Sequence, residues 1–207
     1  MSNATRKFFI DTDAGTDDAI ALIMAMKHPQ VDIVGISTSG GNVPLDCVVQ
    51  NVLYIRELCD HSAPVYIGAE KPMTRTLDTA DFIHGKDGLG DIGLDLKGRI
   101  PNKGDARDHL IQALKSHKGE LELVCLGPLT NLGLIEQKEP GILSLAKRIY
   151  VMGGLITLPG NVTPMSEYNI WADPEAAQVV LQTQAKFTMI GWDSTCCLLY
   201  TSDAADE

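Results

Sequence analysis

Short runs of apolar, often β-branched residues alternate along this chain with longer runs whose apolar positions recur at helical spacing. The first unit reads Phe8-Phe9-Ile10, then Asp11-Thr12-Asp13-Ala14-Gly15-Thr16-Asp17-Asp18, then an apolar run over 19–26. That pattern predicts a buried strand, a tight turn and the start of a helix. A second strand is predicted over 31–37, after His28-Pro29 and before a turn at Gly40-Gly41. Helical periodicity over 45–59 opens on Pro44, a residue suited to a first turn. Further strands are predicted over 65–68, 121–126, 148–152 and 187–190, and helices over 106–116 and 129–137. Another helix opens at Asp173-Pro174, an acidic cap followed by proline. Residues 69–108 are rich in Gly, Asp and Lys with weak periodicity, and a loop that long in a compact domain is usually functional or mobile. Strands alternating with helices imply an α/β fold, a doubly wound and mostly parallel sheet with helices on both faces.

The polar residues that stand out fall just past predicted strand ends: Asp11 and Asp13, Gly41 and Asn42, Thr130 and Asn131, Gly153 and Gly154. In open α/β sheets, ligands bind in the crevice outside the strand C-termini. Four separate stretches therefore converge on one rim. Asp11 and Asp13 share a strand face, because side chains alternate with period 2. Gly15 supplies the bend. Asp17 and Asp18 fall in the first helical turn, where free N–H groups and the helix dipole favour negative charge. Capping accounts for one or two of these acids, not four. Carboxylates converging at the end of an apolar strand repel one another unless something positive sits among them, and a hard divalent cation with oxygen ligands meets that need. The plainer alternative is a capped helix beside a solvated acidic loop. An EF-hand is excluded by spacing, since the twelfth position from Asp11 is Leu22 rather than Glu.

The pattern D-x-D-x-G-x-D-D resembles the signature of the inosine-uridine-preferring nucleoside hydrolases. The resemblance continues through Gly41-Asn42, His84-Gly85-Lys86-Asp87-Gly88-Leu89-Gly90, Gly127-Pro128-Leu129-Thr130-Asn131 and Met152-Gly153-Gly154. It ends on Glu167-Tyr168-Asn169 followed by Asp173-Pro174-Glu175-Ala176-Ala177. It implies a Rossmann-like nucleoside hydrolase fold, Ca2+ as cofactor, and hydrolysis of the N-glycosidic bond of a ribonucleoside to ribose and free base. Matched residue by residue, it implies Asp13, Asp18 and the carbonyl of Thr130 as metal ligands. Asp13 would also activate the attacking water, with Asp11 supporting it from behind. Asp17, Asn42, Asn161, Glu167 and Asn169 would hold ribose hydroxyls, His84 would lie on the base side, and Met152 and Tyr168 would pack against sugar or base. Each has a plainer reading: Gly-Gly-Asn as a turn, Thr130 or Asn131 as a helix cap, His84 as a surface residue, Met152 and Tyr168 as core. The resemblance also implies a small-molecule ribonucleoside substrate and a homo-oligomer, dimer or tetramer, at full length, while the five cysteines, an odd count, point to a cytoplasmic location.

Two other readings compete. The opening strand with D-x-D-x-G-T also resembles haloacid-dehalogenase-type phosphatases, but that leaves Asp17-Asp18 and Glu167-Tyr168-Asn169 unexplained. A calcium- or nucleoside-binding module without catalysis is the second. G-x-G-x-x-G, G-x-x-x-x-G-K-[ST] and G-x-S-x-G do not occur, against dinucleotide, P-loop and serine-hydrolase sites.

Composition narrows the partners. A net charge of −10 argues against a nucleic-acid or anionic-membrane surface, and no apolar run approaches the roughly 20 residues of a membrane helix. The five cysteines contain no C-x-x-C pair and read as reduced thiols. Residues 197–207 resemble the translation of a sequencing adaptor. The expectation is therefore that 1–196 is the N-terminal part of a single nucleoside hydrolase domain and 197–207 a non-native tail. The family's late His-Asp pair, which completes the metal site and protonates the leaving base, has no match among His28, His61, His84, His109 and His117. Weak calcium affinity, little turnover and an exposed sheet edge are expected to follow.

Overall fold

The structure is a computed structural model and describes residues 5–196, so the tail at 197–207 lies outside the described residues. Six strands, β1 (Arg6–Thr12), β2 (Val31–Thr38), β3 (Val65–Ile67), β4 (Leu121–Cys125), β5 (Arg148–Met152) and β6 (Phe187–Ile190), form one sheet in the order β3-β2-β1-β4-β5-β6. Every pairing is parallel. The helices are α1 (Thr16–Lys27), α2 (Leu45–Leu58), α3 (Asp81–His84), α4 (Ala106–Ser116), α5 (Thr130–Lys138), α6 (Tyr168–Ala172) and α7 (Pro174–Leu181). The doubly wound α/β expectation holds. The strand order reverses beside β1, which pairs β2 on one side and β4 on the other.

Phe9 and Ile10 show how β1 builds both faces. Successive strand side chains point to opposite sides, so Ile10 joins Leu22, Ile36, Val52 and Leu53 beneath α1 and α2. Phe9 joins Leu114, Leu123, Leu132 and Val180 beneath α4, α5 and α7. Each such buried side chain stabilises the fold by roughly 1.5–3 kcal/mol. Gly35 makes room for Phe9, because a Cβ there would lie 2.6 Å from the ring. With both faces covered, functional groups are left to the strand ends. At the lower end Glu122 is buried and paired with Arg6 and Lys147, which hold its carboxyl down to about 2.

Several short elements have no counterpart in the periodicity: α3, α6 and a 3-10 turn at Ile142–Leu145. Glu167 is an extended N-cap, and the helix begins at Tyr168 because the Glu167 carboxylate accepts from the Asn169 and Ile170 N–H groups. β6 pairs only β5 among the described residues and leaves Met189 and Ile190 half exposed. Cys47, Cys59 and Cys125 are free thiols.

Candidate active site

The chain leaves β1 at Thr12 and turns through Asp13, Ala14 and Gly15 into α1. Asp18, the third residue of α1, ties this turn shut. Its Oδ1 accepts from Thr12 Oγ1 at 2.9 Å, and its Oδ2 from the Gly15 N–H at 2.9 Å and from Asn42 Nδ2 at 3.3 Å. Asp13 is fully buried, and its Oδ2 accepts from the Asn42 N–H at 2.8 Å. Two glycines form the walls around its carboxylate: a Cβ on Gly41 would overlap Asp13, and one on Gly127 would lie 2.5 Å from its Oδ1. That Oδ1 is buried and has no hydrogen-bond partner. A buried acceptor of this kind is costly unless something electropositive meets it.

The electrostatics agree. Burial, and next the neighbouring Asp18, push the Asp13 carboxyl well above the usual carboxylate range. Burial and then Asp17 push Asp18 up to about 7. Burial raises Asp11 to about 6 against the hydrogen bonds from Ser37 and Asn131.

The four acids do not converge as expected. Asp13 and Asp18 are bridged by Asn42, whereas Asp11 lies one strand step below and has its Oδ1 engaged by Ser37 Oγ and Asn131 Nδ2. Asp17 points outward, with a side chain 67% exposed and an Oδ1 4.0 Å from His84 Nδ1. Helix phase is the reason: Asp17 and Asp18 are about 100° apart around α1, so the face that turns one inward turns the other to solvent.

Thr130 is also placed differently. It is the first residue of α5, where a carbonyl already belongs to the helical ladder. Its hydroxyl donates to Asp173 Oδ2 at 2.7 Å, and Asp173 also accepts from the Met73 and Ala176 N–H groups. The carbonyl directed into the rim is instead that of Leu126, which accepts from Asn169 Nδ2 at 2.7 Å. A backbone oxygen carries no residue signature, so Leu126 could be found only by locating the end of β4. Asn131 is a buttress: besides Asp11, it bonds the Thr38 carbonyl and the Ala69 N–H.

Beyond β5, Asn169 Nδ2 reaches the Met152 carbonyl at 3.2 Å and its sulfur at 3.1 Å. Glu167 is buried, with Oε1 on the Asn169 N–H at 2.9 Å and Oε2 on the Gly154 N–H at 2.8 Å. Burial raises its pKa. Tyr168 is buried and donates to the Asp78 carbonyl at 2.8 Å, which ties the 69–80 loop to α6. Exposed Asn161 accepts from the Tyr168 N–H at 2.9 Å. His84 stands over the α1 N-terminus, its Nδ1 3.2 Å from the Thr16 N–H and 3.0 Å from Thr16 Oγ1, and burial lowers its pKa. Asp13, Asp18, Asn42, Leu126, Met152, Glu167 and Asn169 are thus linked along one rim. A cavity of about 390 Å³ between Gly154 and Trp171 and one of about 970 Å³ beside α2 flank this rim, and Asp13 lines neither. Among the described residues no group of three or more His, Cys, Asp or Glu side chains is arranged to hold a metal ion.

The model of the family described as inosine-uridine preferring nucleoside hydrolase matches residues 8–207. The chain belongs to this family. Uridine nucleosidase 1 of Arabidopsis thaliana is 37% identical over 199 residues, 95% of this chain and 59% of the relative. The pyrimidine-specific ribonucleoside hydrolase RihB of Escherichia coli strain SE11 is 38% identical over 198 residues, 96% of this chain and 63% of the relative. The chain therefore spans about three fifths of the length of these relatives. A solved plant nucleoside hydrolase superposes with a TM-score of 0.87 at 37% identity, covering 91% of this chain and 60% of its own. The purine-preferring ribonucleoside hydrolase from Gardnerella vaginalis does so at 0.86 and 34%, covering 91% and 61%.

Proposed function

We propose that the rim around Asp13 binds a ribonucleoside with Ca2+ and hydrolyses its N-glycosidic bond, giving ribose and free base. The observation that carries this reading is the orphaned, fully buried Oδ1 of Asp13, whose carboxylate shares Asn42 with a second buried acid, Asp18, at the strand-order reversal. The donor chemistry suits a hard cation: the Asp13 and Asp18 carboxylates and the Leu126 carbonyl would hold it, with water and ribose hydroxyls filling the rest of its shell. We prefer the Leu126 carbonyl to that of Thr130 for the reason of helix geometry given above. When bound, calcium would keep both carboxylates ionised, grip the sugar diol and acidify a water.

The chain's own groups would then act as follows. Asp13 Oδ1 takes a proton from water as that water's oxygen bonds to the anomeric carbon. The bond to the base nitrogen breaks with its electron pair through an oxocarbenium-like transition state, as in glycoside hydrolysis generally, and the departing base takes its proton from solvent. Asn42, Asn161 and Asn169 orient the ribose, Asp17 meets it from the solvent side of the rim beside His84, and Glu167 holds Asn169 and the Gly154 turn in place. His84, Met152 and Tyr168 border the base side. Burial keeps His84 largely neutral, a poor proton donor to a leaving base, so this chain is expected to turn over slowly.

The phosphatase alternative makes Asp11 the nucleophile and leaves the Asn42 bridge between Asp13 and Asp18, and the Glu167–Asn169 pair, without a role. The net charge of −10 supports a small-molecule rather than a polyanionic partner, and no helix among the described residues is long and apolar enough to cross a membrane. A cytoplasmic location, on the reduced cysteines, and a homo-oligomer, on the resemblance, complete the proposal. The test is chromatographic analysis of products after long incubation with Ca2+ and uridine or inosine. The expected result is intact base and ribose in equal amounts, with release about 100-fold slower or lost in Asp13→Asn. Calcium binding without base release from either nucleoside would instead assign a binding module.

A further inference from the structure

We propose that Asn51 is the positioning residue that locks the Asp13-Ala14-Gly15 turn to the loop carrying His84. The proposal rests on the hydrolase reading above. Asn51 lies in the second turn of α2 and is fully buried. Its Nδ2 donates to the Ala14 carbonyl at 3.2 Å and to the Asp87 carbonyl at 2.8 Å, while its Oδ1 is buried with no partner. One side-chain nitrogen serves two segments that are far apart in sequence. Leucine would fill nearly the same volume and remove the unpaired Oδ1, but it would strip both carbonyls of their donor. It could not donate twice.

Both bonded segments depend on what the amide supplies. Ala14 has φ +36, near the left-handed region that non-glycine residues rarely occupy, and it directly follows Asp13. Its carbonyl is anchored from α2 by Asn51. The 84–91 loop is internally tied. The Gly88 N–H bonds the Gly85 carbonyl at 3.1 Å and the Gly90 N–H the His84 carbonyl at 2.8 Å, and the Lys86 and Asp87 N–H groups both bond Asp91. Gly88, at φ +83, sits directly on the junction: a Cβ there would lie 2.8 Å from Asn51 Nδ2 and 3.3 Å from the Ala14 carbonyl. The loop therefore meets the Asp13 turn at two points, His84 on Thr16 and the Asp87-Gly88 corner on Ala14 through Asn51. A loop tied this way moves as one body. Asn51 touches neither the proposed cation nor substrate and acts through Ala14 on Asp13 and through Asp87 on His84.

Gln50 provides an internal control. It is the preceding α2 residue, and its amide pins residue 99 by reciprocal bonds of 3.0 and 3.0 Å without touching either loop. The test compares wild type, Asn51→Leu, Asn51→Asp and Gln50→Ala by hydrogen exchange of peptides covering 84–91 and 121–126, by calorimetric titration with Ca2+ alone, and by thermal unfolding. Asn51→Leu is expected to speed exchange at Gly88 and Gly90 about 10-fold or more and to weaken calcium about 10-fold, the scale of a lost supporting contact. The 121–126 peptide should be unchanged. Asn51→Asp, with the same shape but acceptors in place of donors, should do the same. Gln50→Ala should do neither. The assignment is overturned if both Asn51 variants shift only the thermal midpoint, with 84–91 exchange and calcium affinity as in wild type. If the wild type binds no calcium, the hydrolase reading fails at its cation, and exchange at Gly88 and Gly90 alone decides Asn51: unchanged rates in both variants sink it.

Discussion

Raising the pH from 5 to 8 in a chelator is expected to cost this protein about 4 kcal/mol of stability, and saturating calcium is expected to reverse that trend. Asp11 and Asp18 have an ordinary value of 3.8 and are raised to about 6 and about 7 in the fold. A raised carboxyl binds its proton more tightly folded than unfolded. Its contribution is therefore complete below the unfolded value and is lost as pH climbs through the folded one. Over this window Asp18 accounts for the larger share of the loss, roughly 3 kcal/mol, and Asp11 for the smaller, roughly 1. Asp13 adds to it with the same sign. His84, lowered in the fold, has the opposite slope, gaining stability as pH rises toward its ordinary value of 6.5, and offsets part of the loss. Glu122, held down to about 2, is ionised throughout and contributes no slope. Calcium binds the ionised acids, so the gap between calcium and chelator curves should widen with pH. The assay is urea unfolding at constant ionic strength at several pH values with and without calcium. Stability in chelator that stays flat or rises from pH 5 to 8 would refute the reasoning.

Three further outcomes follow from particular contacts. Gly41→Ala drives a methyl into the Asp13 carboxylate and should lower calcium affinity at least about 10-fold by calorimetry, a loss on the scale of a damaged supporting contact. Leu123→Ala empties a site 1% exposed in β4 and should cost about 2–5 kcal/mol in urea, without moving the pH trend. Asp193 accepts from the Ile156, Thr157 and Leu158 N–H groups at 2.7, 2.8 and 3.0 Å, so Asp193→Ala should open the 156–158 loop to proteolysis several-fold faster.

The long periodic elements were legible. Strands predicted at 148–152 and 187–190 and the helix at 106–116 coincide with β5, β6 and α4, because a buried face imposes its period on the sequence. Helices as short as α3 and α6 carry no such period, and α6 depends on a glutamate acting as cap. At the rim, the residue types of Asp13, Asp18, Asn42 and Asn169 were readable, but their directions were not. Asp17 faces outward through helix phase, and the strand-end carbonyl that meets Asn169 is that of Leu126, which has no side-chain signature in sequence. Asn51 reads as one more position in an amphipathic helix. Its importance appears only when Ala14 and Asp87 are seen on either side of one nitrogen.

The measurement that bears most directly on the Asp13 rim is calcium titration of the wild type and of Asp13→Asn, each with and without uridine. Cation and sugar sharing one site must tighten each other reciprocally. Calcium should bind the wild type, bind more tightly with uridine present, and fail to bind Asp13→Asn under either condition. Equal binding to both proteins, or an affinity indifferent to uridine, would contradict the account.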